Sequence, residues 1–402
     1  MTETESETRP AVRLRPNANA QAIRFGAPWA YVDQLVMDRR TRAIPAGTVV
    51  ELQDAERRPL GAAAFNANSK IAARMLDRDP AAQVGEEWFA DRLSRALALR
   101  ETLFDAPFYR LIHAEADGMP GVIVDRFDAA AVVQPNAAWA EARLPELVAA
   151  LRAVTGVATV IKNGSGRARV LEGLPEASEL LSGGIEGPVP VRMNGATYLA
   201  DLRGGQKTGL FYDQRPNHAF AARLGRGRTV LDVFSHVGGF ALAALAGGAD
   251  HALAVDSSAP ALDLARRGAE ATGVAGAFEA RKGDAFETMA ALADEGRRFG
   301  LVICDPPAFA PNKQALEAGL RAYERAARLA AGLVEPGGFL VLCSCSHAAD
   351  LARFREASLR GVGRAERGAQ LLATGGAGPD HPAHPYLAES VYLKALFLRL
   401  DG

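Results

Sequence analysis

Cysteine is scarce: the 402 residues contain three, and two of them, Cys343 and Cys345, stand one residue apart. Such a set builds no disulfide framework, so the fold must rest on its core, and a reducing cytoplasm is the expected home. No apolar run reaches the roughly 20 residues that span a bilayer. The opening Met1-Thr-Glu-Thr-Glu-Ser-Glu7 is acidic and has no apolar stretch, which argues against a signal peptide. A membrane role is therefore not expected. Net charge is almost absent as well, at −1. That removes any global attraction to nucleic acid, so a basic binding surface would have to be local. Lysine occurs only at 70, 162, 207, 282, 313 and 394, and every other basic residue is arginine. This skew, with the abundant alanine, points to genomic base composition rather than to function.

What is present is hydrophobic material, at 49% of the chain, in more residues than one ordinary core can hold. Residues 1–10 read as a disordered tail. Over 11–82 come short β segments, Thr48–Leu52, Leu60–Phe65 and Ile71–Leu76, separated by polar turns such as Asp54–Pro59, which predicts a small β-barrel. Over 83–195 the pattern is α+β. A helix at Glu86–Leu103 has Trp88, Phe89, Leu93, Leu97 and Leu99 as its expected buried stripe. Strands are expected at Tyr109–His113, Gly121–Asp125 and Thr159–Ile161, and a helix at about Glu141–Thr155. Over 196–402 strands alternate with helices, which predicts an α/β domain with a mostly parallel sheet covered on both faces. The expected strands are Thr229–Phe234, Ala252–Asp256, Leu301–Cys304, Gly338–Cys343 and a closing pair within Val391–Leu400.

Ligands of such sheets sit at the carboxyl ends of the strands. Asp232-Val-Phe-Ser-His-Val-Gly-Gly-Phe240 is a strand-to-helix turn in which Phe234, Ser235, Gly238 and Gly239 would bring backbone close to a ligand. It lacks the Gly-x-Gly-x-x-Gly spacing of a dinucleotide site, so NAD is disfavoured. Asp256 closes the next strand, where a carboxylate can accept from two ribose hydroxyls. It could instead cap the following helix, as could Ser257 or Ser258. Gly283-Asp284-Ala285 puts a third carboxylate at a third strand end, suited to an adenine amino group.

The chemistry is expected at two later strand ends. One strand ends in Asp305-Pro-Pro-Ala-Phe309, the other in Cys343-Ser-Cys345-Ser. A cytosine ring is a weak carbon nucleophile until a thiolate adds at carbon 6 and makes carbon 5 enamine-like. Methylation at carbon 5 then needs a sulfonium donor, a base for the carbon 5 proton, and a group that holds the pyrimidine's polar edge. Cys345 is the candidate nucleophile and Asp305 the partner at that edge. The two prolines stiffen the wall, and Phe309 could stack on a flipped base. Cys304 and Cys343, inside apolar strands, read as small buried hydrophobes, a reading open to Cys345 as well. Zinc on Cys343, Cys345 and His347 has unusual spacing. His381 and His384 read as parts of a proline-stiffened loop rather than metal ligands, and no metal is assigned.

In these segments the chain resembles the bacterial 23S ribosomal RNA cytosine-5 methyltransferases that carry an N-terminal PUA domain. The matching stretches are Tyr109–Gly121 with Asp125-Arg-Phe127, Gly204-Gly-Gln-Lys-Thr-Gly-Leu-Phe-Tyr-Asp-Gln-Arg215, Phe234–Phe240, Val255-Asp-Ser257, Asp305–Phe309, Cys343–Ser346 and Tyr392-Leu-Lys394. The resemblance implies a PUA domain, a central α+β domain and a Rossmann-like methyltransferase domain using S-adenosylmethionine. It carries the nucleophile onto Cys345 and donor binding onto the 232–240 turn, Asp256, Asp284 and Asp305. Lys207, Thr208 and Phe211 would wall the donor pocket, with Asp213, Gln214 and Arg215 in support and the last two placed toward the substrate. The implied partners are 23S ribosomal RNA, free or in a precursor particle, and a second copy of the chain. His236 departs from the family, whose members commonly carry tyrosine there. Arginines 13, 15, 24, 39, 40 and 42 form a candidate RNA surface, or simply a solvated face. Two other functions fit the same residues: methylation of an RNA base nitrogen, which leaves Cys345 without a role, and an RNA-binding assembly protein with an inactive methyltransferase domain.

Overall fold

A computed structural model describes residues 9–204 and 209–401. The expected tail therefore lies almost wholly outside the described residues, and Lys207 and Thr208 lie outside them too. The chain divides into two compact units, Met1–Glu186 with Pro382–Ala388 and Gly187–His381 with Glu389–Gly402.

The first unit opens with a five-stranded sheet in the spatial order Ala11–Arg13, Thr48–Gln53, Pro59–Phe65, Ile71–Asp77, Trp29–Tyr31. A bridge between Leu14 and Leu35 brings its two edges together, as the expected barrel requires. Period-two alternation sorts its side chains. Val50, Leu52, Ala63 and Phe65 fill the inside, while Val49, Ala62, Ala64 and Leu76 pack outward with Trp88, Phe89 and Trp139.

A second five-stranded sheet follows, with Ala130–Pro135 paired between Val122–Phe127 and Thr159–Lys162. That strand escaped the sequence reading because Ala-Ala-Val-Val is apolar throughout, buried on both faces, and shows no alternation.

Two expectations need correction in this unit. The helix Glu86–Leu103 forms, but it buries Trp88, Phe89, Leu93, Ala96 and Arg100, and leaves Leu99 45% exposed. Positions 89, 93, 96 and 100 follow the 3.6-residue stripe, and position 99 falls beside it. Arg100 can occupy the stripe because Asp117 takes its two terminal nitrogens at 2.6 and 2.7 Å, and Arg110 O accepts from Nε at 2.9 Å. The helix expected at Glu141–Thr155 is two helices, Ala138–Ala142 and Leu144–Thr155. Pro145 suits the first turn of a helix and not an interior position, so the second helix starts there.

The second unit is built on a seven-stranded sheet. Its strands are β1 (Thr229–Val233), β2 (His251–Asp256), β3 (Phe278–Lys282), β4 (Phe299–Cys304), β5 (Val334–Ser344), β6 (Ala369–Gly375) and β7 (Lys394–Leu400). Their spatial order is β3-β2-β1-β4-β5-β7-β6, parallel except for β7, which runs against β5 and β6. Helices α1 (Arg215–Gly225), α2 (Gly239–Ala246), α3 (Ala259–Thr272), α4 (Ala285–Asp294), α5 (Leu316–Gly332) and α6 (Leu351–Arg364) cover it. Leu231, Val233, Val302, Cys304 and Leu342 belong to one core, Val230, Leu301, Ile303, Val341 and Cys343 to the other.

The closing pair expected within Val391–Leu400 is a single strand, β7. Its second partner, β6, was missed, because an edge strand with Ala369–Leu372 exposed has no buried face to betray it. Among the described residues no helix is long and apolar enough to cross a membrane.

Candidate active site

Strand order fixes where the candidate residues meet. In a parallel sheet of this order the direction in which strands are added reverses between β1 and β4, and the crevice opens at their carboxyl ends. Four expected positions lie there: the turn after β1, the end of β2, the Asp305 loop after β4, and Cys345 directly after β5.

The turn after β1 is tightly wound. Phe234 (φ 64°), His236 (φ 50°) and Gly238 (φ 80°) all adopt left-handed backbone within five residues. Non-glycine residues rarely do so, and when they do the site is often functional. The turn is held by Ser235 N donating to Val255 O at 3.0 Å and Gly238 N to Ser235 O at 2.8 Å. Asp232 is fully buried, and its Oδ2 accepts from Ala241 N at 2.9 Å. Asp232 Oδ1 and the buried Ser235 Oγ have no hydrogen-bond partner. Unpartnered buried oxygens at a ligand edge are what a polar ligand would complete. Burial, and then the nearby Asp256 charge, push the Asp232 carboxyl up to about 7, against the Ala241 and Phe240 amides, which lower it.

Asp256 ties the turn to β2: Oδ2 accepts from His236 N at 2.9 Å and Oδ1 from Ser258 N at 2.8 Å. The cap of α3 is Ser258, whose Oγ accepts from Ala261 N. Asp256 is thus not the cap, and Ser257 stands exposed beside it. Asp284 does cap a helix: its Oδ1 accepts from Phe286 and Glu287 amides at 2.9 and 3.0 Å, just ahead of the buried Ala285. Phe211 meets the His236 ring edge-on at 5.1 Å, which joins the 209–215 segment to the glycine turn. His236 therefore has an aromatic packing partner in this chain.

Asp305 is half-buried, its amide donating to Val233 O and its Oδ2 accepting from Gln214 Nε2 at 2.9 Å. Gln214 is itself set by Asn217, whose Nδ2 donates to Gln214 Oε1 at 2.6 Å and to Gly376 O at 3.1 Å. Sequence reading placed Gln214 toward the substrate; in the structure the buried Gln214 is tied to Asp305 by that hydrogen bond. Arg215 is half-buried with its guanidinium 5.5 Å from the Tyr212 ring, and Asp213 accepts from Tyr392 Oη at 2.6 Å. Phe309 sits in an aromatic cluster with Tyr323 (5.0 Å), Phe286 (6.1 Å) and Phe234 (6.3 Å).

Cys345 is half-buried, unlike Cys304 and Cys343, which are core residues with thiols raised chiefly by burial. Cys304 pairs with Leu342 across β4 and β5, so Asp305 and Cys345 leave adjacent strands within two residues of the same level. At roughly 5 Å between strands and 3.3 Å per residue, their backbones lie within about 10 Å of each other.

Sequence reading missed the frame around that cysteine. Ser344 Oγ donates to Tyr323 Oη at 2.9 Å, Tyr323 Oη lies 2.7 Å from Ser346 Oγ, and Ala310 N donates to Ser346 Oγ at 3.0 Å. The available signal was two serines, Ser344 and Ser346, at the end of an apolar strand, both fully buried in the structure. Among the described residues no cluster of three or more His, Cys, Asp or Glu side chains is placed to hold a metal ion. His381 pairs with Asp380 at 2.9 Å, and His384 Nδ1 accepts from Tyr386 N at 3.2 Å.

Residues 119–372 match the family profile of S-adenosylmethionine-dependent methyltransferases, and residues 12–78 that of a PUA-like domain. A ribosomal RNA large subunit methyltransferase of Deinococcus radiodurans is 34% identical, over 98% of this chain and 98% of that one. The ribosomal RNA large subunit methyltransferase I of Photobacterium profundum is 34% identical over 93% and 95%. In fold, the chain resembles a protein from Streptococcus mutans assigned as a SAM-dependent methyltransferase, with a TM-score of 0.80 at 18% identity over 97% and 100% of the two chains. A further solved methyltransferase, complexed with SAH, gives 0.81 at 19% identity over 98% and 100%. The crevice geometry and these full-length matches agree: the chain belongs to the S-adenosylmethionine-dependent ribosomal RNA large subunit methyltransferase family, with a PUA-like domain ahead of a class I methyltransferase fold.

Proposed function

We propose that this protein methylates carbon 5 of a cytosine in large-subunit (23S) ribosomal RNA through a transient bond to Cys345. The observation that carries this reading is the half-buried cysteine at the end of β5, beside the strand that ends in Asp305. Methylation of a base nitrogen would use Asp305 and leave the cysteine without a purpose.

Donor contacts are assigned to Phe211, the Asp232–Gly239 turn with Phe234, Ser235 and Gly238, Asp256 with Ser257, and Asp284 with Ala285. Lys207 and Thr208 are assigned with them from the sequence alone. The unpartnered oxygens of Asp232 and Ser235 fit a polar, cationic ligand. When bound, S-adenosylmethionine supplies an electrophilic methyl group. Cys345 provides the thiolate that adds to carbon 6 and later departs, restoring the aromatic ring once the carbon 5 proton has been taken. Asp305 holds the pyrimidine's polar edge, kept in orientation by Gln214. Residues 11–82 and 83–195, the proposed barrel and central domains, would hold structured RNA.

The deciding experiment is bisulfite sequencing of 23S RNA from a deletion strain beside wild type. One cytosine losing protection in the mutant is expected; unchanged protection at every position would refute the proposal.

The Asp232 carboxyl adds a pH prediction. Its folded value, near 7, lies above the unfolded value near 4, so between those limits the folded state holds a proton that the unfolded state has released. Over that window stability falls as pH rises, then levels off. A donor with net positive charge prefers the ionised carboxylate. Its affinity is expected to rise about tenfold from pH 6 to 8, and Asp232→Asn should flatten that rise. Calorimetry at three pH values measures both; the same slope in the variant would remove Asp232 from the donor site.

A further inference from the structure

We propose that Lys394 is a positioning residue for Cys345, its ammonium holding the backbone that follows the nucleophile and supplying the charge that favours the thiolate. This rests on the reading of Cys345 as nucleophile.

The geometry starts from the sheet. Lys394 opens β7, directly across from Ser344, the last residue of β5. Its Nζ donates to Ser346 O at 2.7 Å and to Ala349 O at 2.6 Å, so it grips the loop that begins with Cys345. The side before the cysteine is fixed independently by Ser344 on Tyr323. Both flanks are thereby pinned, and the thiol between them is left half-exposed.

The electrostatics are unusual for a structural lysine. Lys394 is buried, yet among the described residues it forms no ion pair with a carboxylate; both its partners are neutral carbonyls. The other buried lysine among the described residues, Lys162, shows the ordinary solution, with Glu141 at 2.8 Å and Glu179 at 2.6 Å. A buried ammonium without a counter-ion is costly, so a nearby group that gains negative charge relieves it. Burial lowers the Lys394 pKa, while the charges of Cys345 and Asp350 raise it. Interaction between two sites is mutual, so the ammonium favours the ionised sulfur. Of the other titratable groups nearby, the Tyr323 phenol bonds the two serines, His347 lies against the Tyr392 ring, and Asp213 takes the Tyr392 hydroxyl. Asp305, at the neighbouring strand end, opposes the thiolate. When the thiolate forms, its proton passes to water, and Lys394 keeps its own.

The test is the pH profile of Cys345 alkylation by iodoacetamide in the full-length protein, read at that residue by mass spectrometry. The wild-type midpoint is expected below the ordinary thiol value of about 8.5. In Lys394→Met it should rise by about one pH unit, slowing alkylation at pH 7 roughly five- to tenfold, and Lys394→Arg should stay near wild type. A wild-type midpoint at or above about 8.5 overturns the proposal without any variant. So does an unchanged profile in a Lys394→Met protein that melts as wild type does; if that variant does not fold, Lys394→Gln takes its place with the same two outcomes. The measurement needs neither RNA nor donor. An unchanged profile therefore removes Lys394 and spares the nucleophile, whereas retained turnover without Cys345 removes the nucleophile itself.

Discussion

Cys345→Ala is expected to lower methyl transfer to 23S RNA by on the order of ten-thousandfold, since loss of a nucleophile removes the whole covalent route. Donor affinity should stay within about twofold, because the donor turn is built from β1 and β2. Stability should change by less than about 1 kcal/mol, since Cys345 is half-buried at a strand end and not a core residue like Cys304 and Cys343. Cys345→Ser is expected to be equally inactive, because a hydroxyl is scarcely ionised at neutral pH. The measurement is labelled-methyl incorporation into RNA from a deletion strain, with calorimetry for the donor. Retained turnover in the alanine variant would shift the reading to methylation of a base nitrogen.

How much of this site the sequence disclosed depends on whether a signal was local. Asp232, Asp256, Asp284 and Asp305 could be nominated because each stands within two residues of the carboxyl end of a strand, and the ligand edge of a parallel sheet is set by chain direction. Cys345 could be told from Cys304 and Cys343 by its place outside the apolar run. The bond from Gln214 to Asp305 was not legible, because the two lie 91 residues apart and meet only through folding. Tyr323 was hidden for the same reason: nothing in α5 marks its tyrosine as the partner of Ser344 in β5 and Ser346 just beyond it. Two of the missed strands show the same limit from the side of pattern. Ala130–Pro135 is buried on both faces and β6 on almost neither, so neither alternates. Arg100 is the sharpest case, because its burial is supported by Asp117 and by a carbonyl in the next strand, neither visible from the helix sequence.

Asp305→Asn is expected to lower kcat by roughly a hundred- to a thousandfold, the usual loss when a preorganised polar group facing the reacting base is removed. The hydrogen-bond chain behind it gives the reason. Asn217 donates to Gln214 Oε1, which leaves Gln214 Nε2 pointing at Asp305. An asparagine at 305 keeps that bond only by turning its own oxygen toward Gln214, and its NH2 then faces the base where a carboxylate oxygen stood. A donor has replaced an acceptor at the edge that must hold the pyrimidine. Gln214→Leu should be milder, about tenfold, since it loosens Asp305 without changing its chemistry. Single-turnover rates at saturating donor separate these effects from binding, and a wild-type rate in Asp305→Asn would remove Asp305 from the reaction. If Asp305 serves the step that Cys345 begins, the two losses cannot add. The variant lacking both is expected to be no slower than Cys345→Ala alone, because without the adduct there is no activated ring for Asp305 to steady.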